Sequence, residues 1–403
     1  MRRISIQERR RSVVRRHHLG GDARDPEAVT HALIALHATD PASVYLSVLA
    51  RSAASTLADV SAAMYERRDL VRWMAMRRTL FVFPRPDIPV VQAAVSTPLA
   101  AVLRRRLTTQ LERSGSEPAI DDDVDRWLVE LELRVEAALR ARGAATGAQL
   151  STDEPALRTI IPPRARSDRP QNVTSALLTL MSTEGRLVRS APTGSWTSRH
   201  HLWEPVEHWW PDGLPQLGME DSQRILARRW LARFGPATVD DLQWWTGWNK
   251  TSVRRALSGI RVDEVDLHGE TGIALSDVDD DSSEFAAATP VAALLPSLDP
   301  TPMGWKRRDW FLGIDHHHVF DHNGNIGPTL WWDGEIIGSW GIAASGELRT
   351  VVVADRGATA GAAIQEVASR LHERLHGAVV TPAIRTPLER SLVPYDAEQS
   401  ADQ

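Results

Sequence analysis

Cysteine is absent from all 403 residues. That excludes disulfides, thiolate zinc sites, iron–sulfur clusters and a cysteine nucleophile. Lysine is nearly absent too, since Lys250 and Lys306 are the only two among 47 cations. Tyrosine (3) and phenylalanine (6) are outnumbered by 15 tryptophans. No apolar run approaches the ~18 residues of a membrane span. The basic start MRRISIQERRRSVVRRHH has no apolar h-region behind it, so no signal peptide is read. The expectation is a soluble, cytoplasmic protein. Hydrophobic residues make up 42%, enough for several cores at this length.

Charge is unevenly spread beneath a net of −5: residues 1–118 carry +8 and the remainder −13. Guanidinium suits bidentate phosphate contact better than ammonium, and a basic third on an acidic chain fits a polyanion grip. A general compositional bias toward arginine explains the same numbers.

The pattern of elements is repetitive. Apolar residues recur at helical spacing over 25–36, Asp40-Pro41 reads as an N-cap and first turn, and 56–66 is a further helix. LVRWMAM and TLFVFP (70–76, 79–84) read as two strands around Arg77-Arg78. Three helices and a ribbon are the order of a winged helix. GAATGAQL (143–150) and GPATVDDL (235–242) then share G-x-A-T-x-x-x-L. Helices are expected before them (124–141, 221–234) and after them (173–184, 249–258), with ribbons at 185–203 and 260–275. Residues 276–290 read as an acidic linker. Beyond them, Asn323-Gly324, Asp333-Gly334 and Ser345-Gly346 mark hairpin turns between strands at 318–321, 328–332, 335–342 and 347–354. A helix at 358–375 and a strand near 379–384 follow, and the tail from Asp396 is expected to be disordered.

On LLPSLDPTPMGWKRRDWFLG (294–313), FDHNGNIGPTLWWDGEIIGSW (320–340), LVRWMAMRRTLFVFP and DLQWWTGW (241–248), the chain resembles a bacterial family. It is the winged-helix DNA-binding family that includes the AlkZ-like DNA glycosylases. The resemblance implies an α+β chain of three tandem winged helices and a C-terminal β-barrel-like module, forming a C-shaped clamp on duplex DNA. The corresponding domains are 1–118, 119–212, 213–284 and 285–395, with a tail at 396–403. It implies a nucleoid-associated monomer acting on alkylated or crosslinked duplex DNA, with no cofactor, metal or membrane. Lys250 and Lys306 lie outside the matched catalytic loop, which argues for a monofunctional enzyme.

Characterised members carry Q-x-Q or Q-x-D after the first long helix. Here that stretch is LHATDPASVYL, which places His37 and Thr39 at those positions. A cationic alkylated purine is already a good leaving group, so the chemistry needs a water held against the anomeric carbon. His37 and Thr39 are candidates to hold it, with neutral His37 able to take a proton. In an extended 37–40 segment these two share a side. In a helical one, His37 neighbours Asp40, a carboxylate suited to stabilising the sugar cation. The plainer readings are a helix-terminal histidine, a turn threonine and an N-cap aspartate.

Candidate DNA contacts are Arg77 and Arg78 on the first wing, then Arg104, Arg105 and Arg106. Ser198, Arg199 and His200 follow on the second wing, and Lys250, Arg254 and Arg255 on the third recognition helix. Each has a solvated surface residue as its alternative. The cluster Asp315, His316, His317, His318, Asp321 and His322 holds metal-ligating types, but histidines in a row on a strand face alternate sides. Most tryptophans, such as Trp244, Trp245, Trp331 and Trp332, sit at core spacing rather than at stacking positions.

Overall fold

The structure is a computed structural model that describes residues 1–114, 116–120, 123–161, 171–277 and 289–394. The expected acidic linker and the expected disordered tail fall largely outside these. Two compact units form: residues 1–63 with 227–403, and residues 64–226.

The first unit begins with strand β1 (Arg2–Arg3) and helix α1 (Ile6–Arg16), opened by a reciprocal Ser5/Glu8 capping box. Helix α2 (Pro26–Leu33) is capped by Asp25, whose carboxylate accepts the Ala28 N–H at 2.7 Å. It stops three residues short of expectation because Ile34 turns to φ 65. A short strand β2 (Leu36–His37) leads to α3 (Pro41–Leu49), buried at every residue from 42 to 49. Helix α4 (Leu57–Ser61) has its own Thr56/Asp59 capping box.

The second unit starts with the antiparallel hairpin β3 (Leu70–Met74) and β4 (Leu80–Pro84). Arg77 and Arg78 sit between them at φ 53 and 61. Helix α5 (Ile88–Val91), a wider turn at 92–96 and α6 (Thr97–Ser114) form one continuous stretch. Against expectation, 85–113 is long and apolar enough to cross a membrane by length and composition. Polar residues such as Gln92 and Thr97 interrupt it without bringing its mean hydropathy below that of a spanning helix. Of its most apolar window, 56% is buried in this unit. Buried Gln92 is fully engaged, accepting from Trp73 Nε1 at 2.9 Å and donating to the Thr183 carbonyl at 3.1 Å.

Helices α7 (Val124–Arg142) and α8 (Gly147–Asp153), strands β5 (Ile160–Ile161) and β6 (Gln171–Asn172) and helix α9 (Val173–Thr183) follow. The hairpin β7 (Leu187–Pro192) and β8 (His201–Pro205) completes the unit, and β3 pairs with both β4 and β7. Leu128, Leu131, Val135 and Leu139 form the apolar stripe of α7 and pack with Leu150, Leu177 and Met181. Burying each such side chain contributes about 1.5–3 kcal/mol.

Helix α10 (Met219–Phe234) runs back into the first unit, followed by α11 (Val239–Thr246), α12 (Lys250–Ser258) and the hairpin β9 (Val262–Asp266) with β10 (Thr271–Leu275). Strand β1 adds to β9 in parallel. The last sheet joins β11 (Ala292–Leu295), β12 (Thr329–Trp332), β13 (Glu335–Ile342) and β14 (Leu348–Val352) as an antiparallel meander.

Three expectations for this C-terminal region need correction. The sheet is open and does not close into a barrel, because its end strands β11 and β14 do not pair. Instead, α14 (Ala358–Leu375) packs across β11, β12 and β14. Residues 318–321 are not a strand: His316–Val319 is a one-turn helix, α13, since Asp315 accepts the His317 N–H at 2.8 Å. Residues 379–384 make no ladder either. Pro382 has no donor, and the Ala383 and Ile384 N–H groups bond to Asp40 and Ser297 side chains. A short helix α15 (Pro387–Leu392) ends the described chain.

Candidate active site

The segment between α2 and α3 carries the candidate triplet. Leu36 and His37 are extended, Asp40 has φ −103 and ψ 110, and the helix starts at Pro41. The version in which His37 and Asp40 neighbour each other on a helix is therefore not adopted. Thr39 is exposed, whereas His37 and Asp40 are each 5% exposed. Asp40 occupies the N-cap position but makes no capping bond with its side chain. Its carboxylate accepts from the Ala383 N–H at 3.1 Å and lies 3.3 Å from Ser43 Oγ.

Helix α3 is locked from below by the 294–313 motif. Ser43 Oγ donates to the Ser297 carbonyl at 2.7 Å, and Ser47 Oγ donates to Asp299 at 2.9 Å. Arg51 pairs bidentately with Asp299 at 2.7 and 2.8 Å, with both side chains fully buried. The guanidinium also donates to the Ser47 carbonyl and to Thr301 Oγ1, which in turn meets His17 Nδ1 at 2.9 Å. Burial first, and then the Arg51 charge, hold the His17 pKa well below the ordinary histidine value, so the ring is neutral. From α14, Arg374 donates to the carbonyls of Leu49, at 2.7 Å, and of Ser52, at 2.8 Å, just past the end of α3.

The other long motifs are structural as well. Asp241 accepts from Thr238 Oγ1 and from the Lys306 and Arg307 N–H groups, at 2.8, 2.9 and 3.1 Å. Trp305 Nε1 donates to the Phe234 carbonyl at 3.0 Å, in a ring cluster with His17, Trp310 and Phe311. Trp245 and Trp331 are buried, and Arg308 lies 4.9 Å over half-buried Trp244. Asp321 accepts the Asn323 and Asn325 N–H groups, both at 2.8 Å, and so shapes the turn at Gly324. Among the described residues, no three His, Asp or Glu side chains gather as a metal cluster. His316 instead stacks on Phe320 at 4.2 Å.

The candidate DNA contacts fall into distinct environments. Burial pushes the Arg77 pKa down to about 10, while Arg78 beside it is exposed. Arg105 and Arg106 are exposed on α6, but Arg104 is committed to Glu184 at 2.6 Å and Glu132 at 2.8 Å. Arg199 and His200 are exposed between β7 and β8, and Ser198 Oγ accepts the His200 N–H at 3.2 Å. Lys250, Arg254 and Arg255 are exposed on α12, whose start is capped by Asn249. The N-terminal charge excess is partly consumed inside the first unit: Arg10 pairs with Glu335 at 3.1 Å and Arg51 with Asp299.

Sequence reasoning missed Arg51, Ser297, Asp299 and Arg374, as well as Arg189 and His201 in the second unit. A carboxylate inside the apolar run around LLPSLDP was the available signal for the buried pair.

The family described as DNA glycosylase AlkZ-like matches residues 30–375. No curated protein matches the chain. Among solved structures, Streptomyces sahachiroi DNA glycosylase AlkZ is similar at TM-score 0.70 and 20% identity, over 94% of this chain and 99% of that one.

Proposed function

The chain belongs to the AlkZ-like DNA glycosylase family, and from that premise we propose that it hydrolyses the N-glycosidic bond of alkylated or crosslinked purines in duplex DNA. The observation that carries this reading is the match over 30–375, which includes the 36–40 segment and the motif that seats α3 beneath it. The four segments 1–118, 119–212, 213–284 and 285–395 are read as three winged helices and a β-rich module. Arg77, Arg78, Arg105, Arg106, Ser198, Arg199, His200, Lys250, Arg254 and Arg255 are read as the DNA contacts.

A purine alkylated at N7 or N3 carries positive charge, so its departure with the bonding electrons leaves a neutral base and an oxocarbenium-like sugar. Water adds its oxygen to the anomeric carbon and loses a proton. In this reading exposed Thr39 receives the water, and buried His37 meets it from the protein side as a neutral acceptor. Asp40 is read as a positioning residue, since its carboxylate holds the Ala383 N–H at 3.1 Å.

The test is release of base from an N7-alkylguanine duplex, scored as abasic sites. We expect activity in the natural protein and a loss of about 10²–10⁴-fold in His37→Ala/Thr39→Ala. Unchanged activity in that variant would remove both residues from the mechanism. A second reading, a DNA-binding protein without chemistry, is favoured by the departures from Q-x-Q or Q-x-D at both His37 and Thr39. It predicts duplex binding with no base release from any lesion.

A further inference from the structure

Within the second unit, a cleft of about 580 Å³ opens between the start of α9, strands β7 and β8 and the 193–200 loop. Arg189, Arg199, His200 and His201 line it, and no carboxylate does among the described residues. Asn172 and Ser175 line it from the start of α9, a helix that carries no side-chain cap. Such a helix start favours negative charge.

The wall behind the cleft is electrostatically odd. Arg72 on β3 stands directly opposite Arg189 on β7, and like charges facing each other across antiparallel strands are destabilising. Neither guanidinium has a carboxylate partner among the described residues. Arg72 donates to the Ser190 carbonyl and lies over the Tyr65 ring. Arg189 lies 4.9 Å over Trp203 and reaches Thr179 Oγ1 only at 3.4 Å. Arg189 Nε and His201 Nε2 are buried without a hydrogen-bond partner. Burial and the charges of Arg189 and Arg72 push the His201 pKa down to about 4. Two facing arginines, each with a buried Nε–H that has no partner, and a carboxylate-free lining all lack the same thing, an anion.

We propose that this cleft is a phosphate site, and that its occupant is a backbone phosphate of DNA held between Arg189 and Arg199. The proposal rests on the reading that the protein acts on DNA, but not on its chemistry. A backbone phosphate carries no lesion, so the site grips any duplex and contributes affinity rather than specificity.

The test uses the full chain and an unmodified duplex, with affinity followed by fluorescence anisotropy across a salt series. Arg189→Gln should weaken binding about three- to tenfold and make the salt slope shallower by about one. Because Arg189 is partly buried, Ser175→Glu is the second variant. Ser175 is exposed in the first turn of α9, where a glutamate supports the helix, so the variant keeps its melting temperature. It nevertheless places a carboxylate in the cleft, and about tenfold weaker binding is expected. Unchanged affinity and slope in Ser175→Glu would overturn the proposal. So would a thermal shift by inorganic phosphate that this variant abolishes while duplex binding stays intact, since the occupant would then be free phosphate. Base release assayed on the same proteins separates the readings. A chain that binds plain duplex through the cleft but excises nothing loses only the glycosylase reading.

Discussion

Two arginine clusters lie in the second unit, and they obey opposite rules. On one side Arg104 and Arg186 share Glu132 and Glu184, and Arg186 also meets Glu136 at 2.7 Å beside Glu132 at 2.5 Å. Burial alone would lower the Arg186 pKa, yet the bonds to Glu136 and Glu132 outweigh it and push the pKa up. On the other side Arg72 and Arg189 face one another with no carboxylate among the described residues, and burial with the Arg72 charge pushes Arg189 down to about 10. The first cluster is satisfied by the fold and the second is not. An arginine count therefore says little about ligand binding until each guanidinium's partner is known.

The largest expected effect tests what satisfaction means at full burial. Asp299→Ala strands Arg51 and should cost about 3–5 kcal/mol, read as the denaturant midpoint. A loss below 1 kcal/mol would show that the network around α3 is dispensable. Glu132→Gln comes next. It weakens two charge-assisted bonds at a carboxylate 3% exposed and should cost about 1.5–3 kcal/mol. In the unsatisfied cluster the sign reverses: Arg189→Met should leave the melting temperature equal or higher without DNA. A clear drop there would mean that Arg189 is structural.

Histidine titration is a smaller test. His17 and His201 titrate below the ordinary value in the fold and near ~6.5 when unfolded. The unfolded chain thus binds more protons, and stability is complete above that pH and falls below it. Each histidine should contribute a slope of up to about 1.4 kcal/mol per pH unit, for His201 from about 6.5 down to about 4. Melting curves at pH 7 and pH 5 read this, and no change between them would place charged histidines in the fold. Smallest of all, Arg105→Ala with Arg106→Ala should leave stability within about 0.5 kcal/mol while flattening the salt dependence of duplex binding.

What the chain made legible was local. The helices expected at 124–141, 221–234 and 358–375 and the Asp333-Gly334 turn follow from residues a few positions apart, and they lie within two residues of where expected. What stayed hidden depends on distance along the chain. Arg51 and Asp299 are 248 residues apart, and nothing near Arg51 announces a carboxylate. Residues 379–384 have the composition of a strand, but distant side chains claim two of their N–H groups. The candidate triplet was legible only through family resemblance, because H-A-T-D by itself is an ordinary turn and cap. The facing arginines were illegible for a similar reason, since strand register between β3 and β7 is not written in either strand.

The first unit is discontinuous in sequence, with its pieces at 1–63 and 227–403 before and after the residues of the second. This has a consequence for biosynthesis. Asp40 and the residue that fixes it, Ala383, are 343 positions apart. At ordinary translation speeds the segment waits roughly 20–70 s for its partner to be made. The inserted unit can fold in that interval, whereas the loop carrying His37 cannot reach its final shape. A nascent chain stalled before Ala383 has His37, Thr39 and Asp40 but lacks the N–H that holds the Asp40 carboxylate. Fixation of Asp40 is thereby deferred until residue 383 has been made.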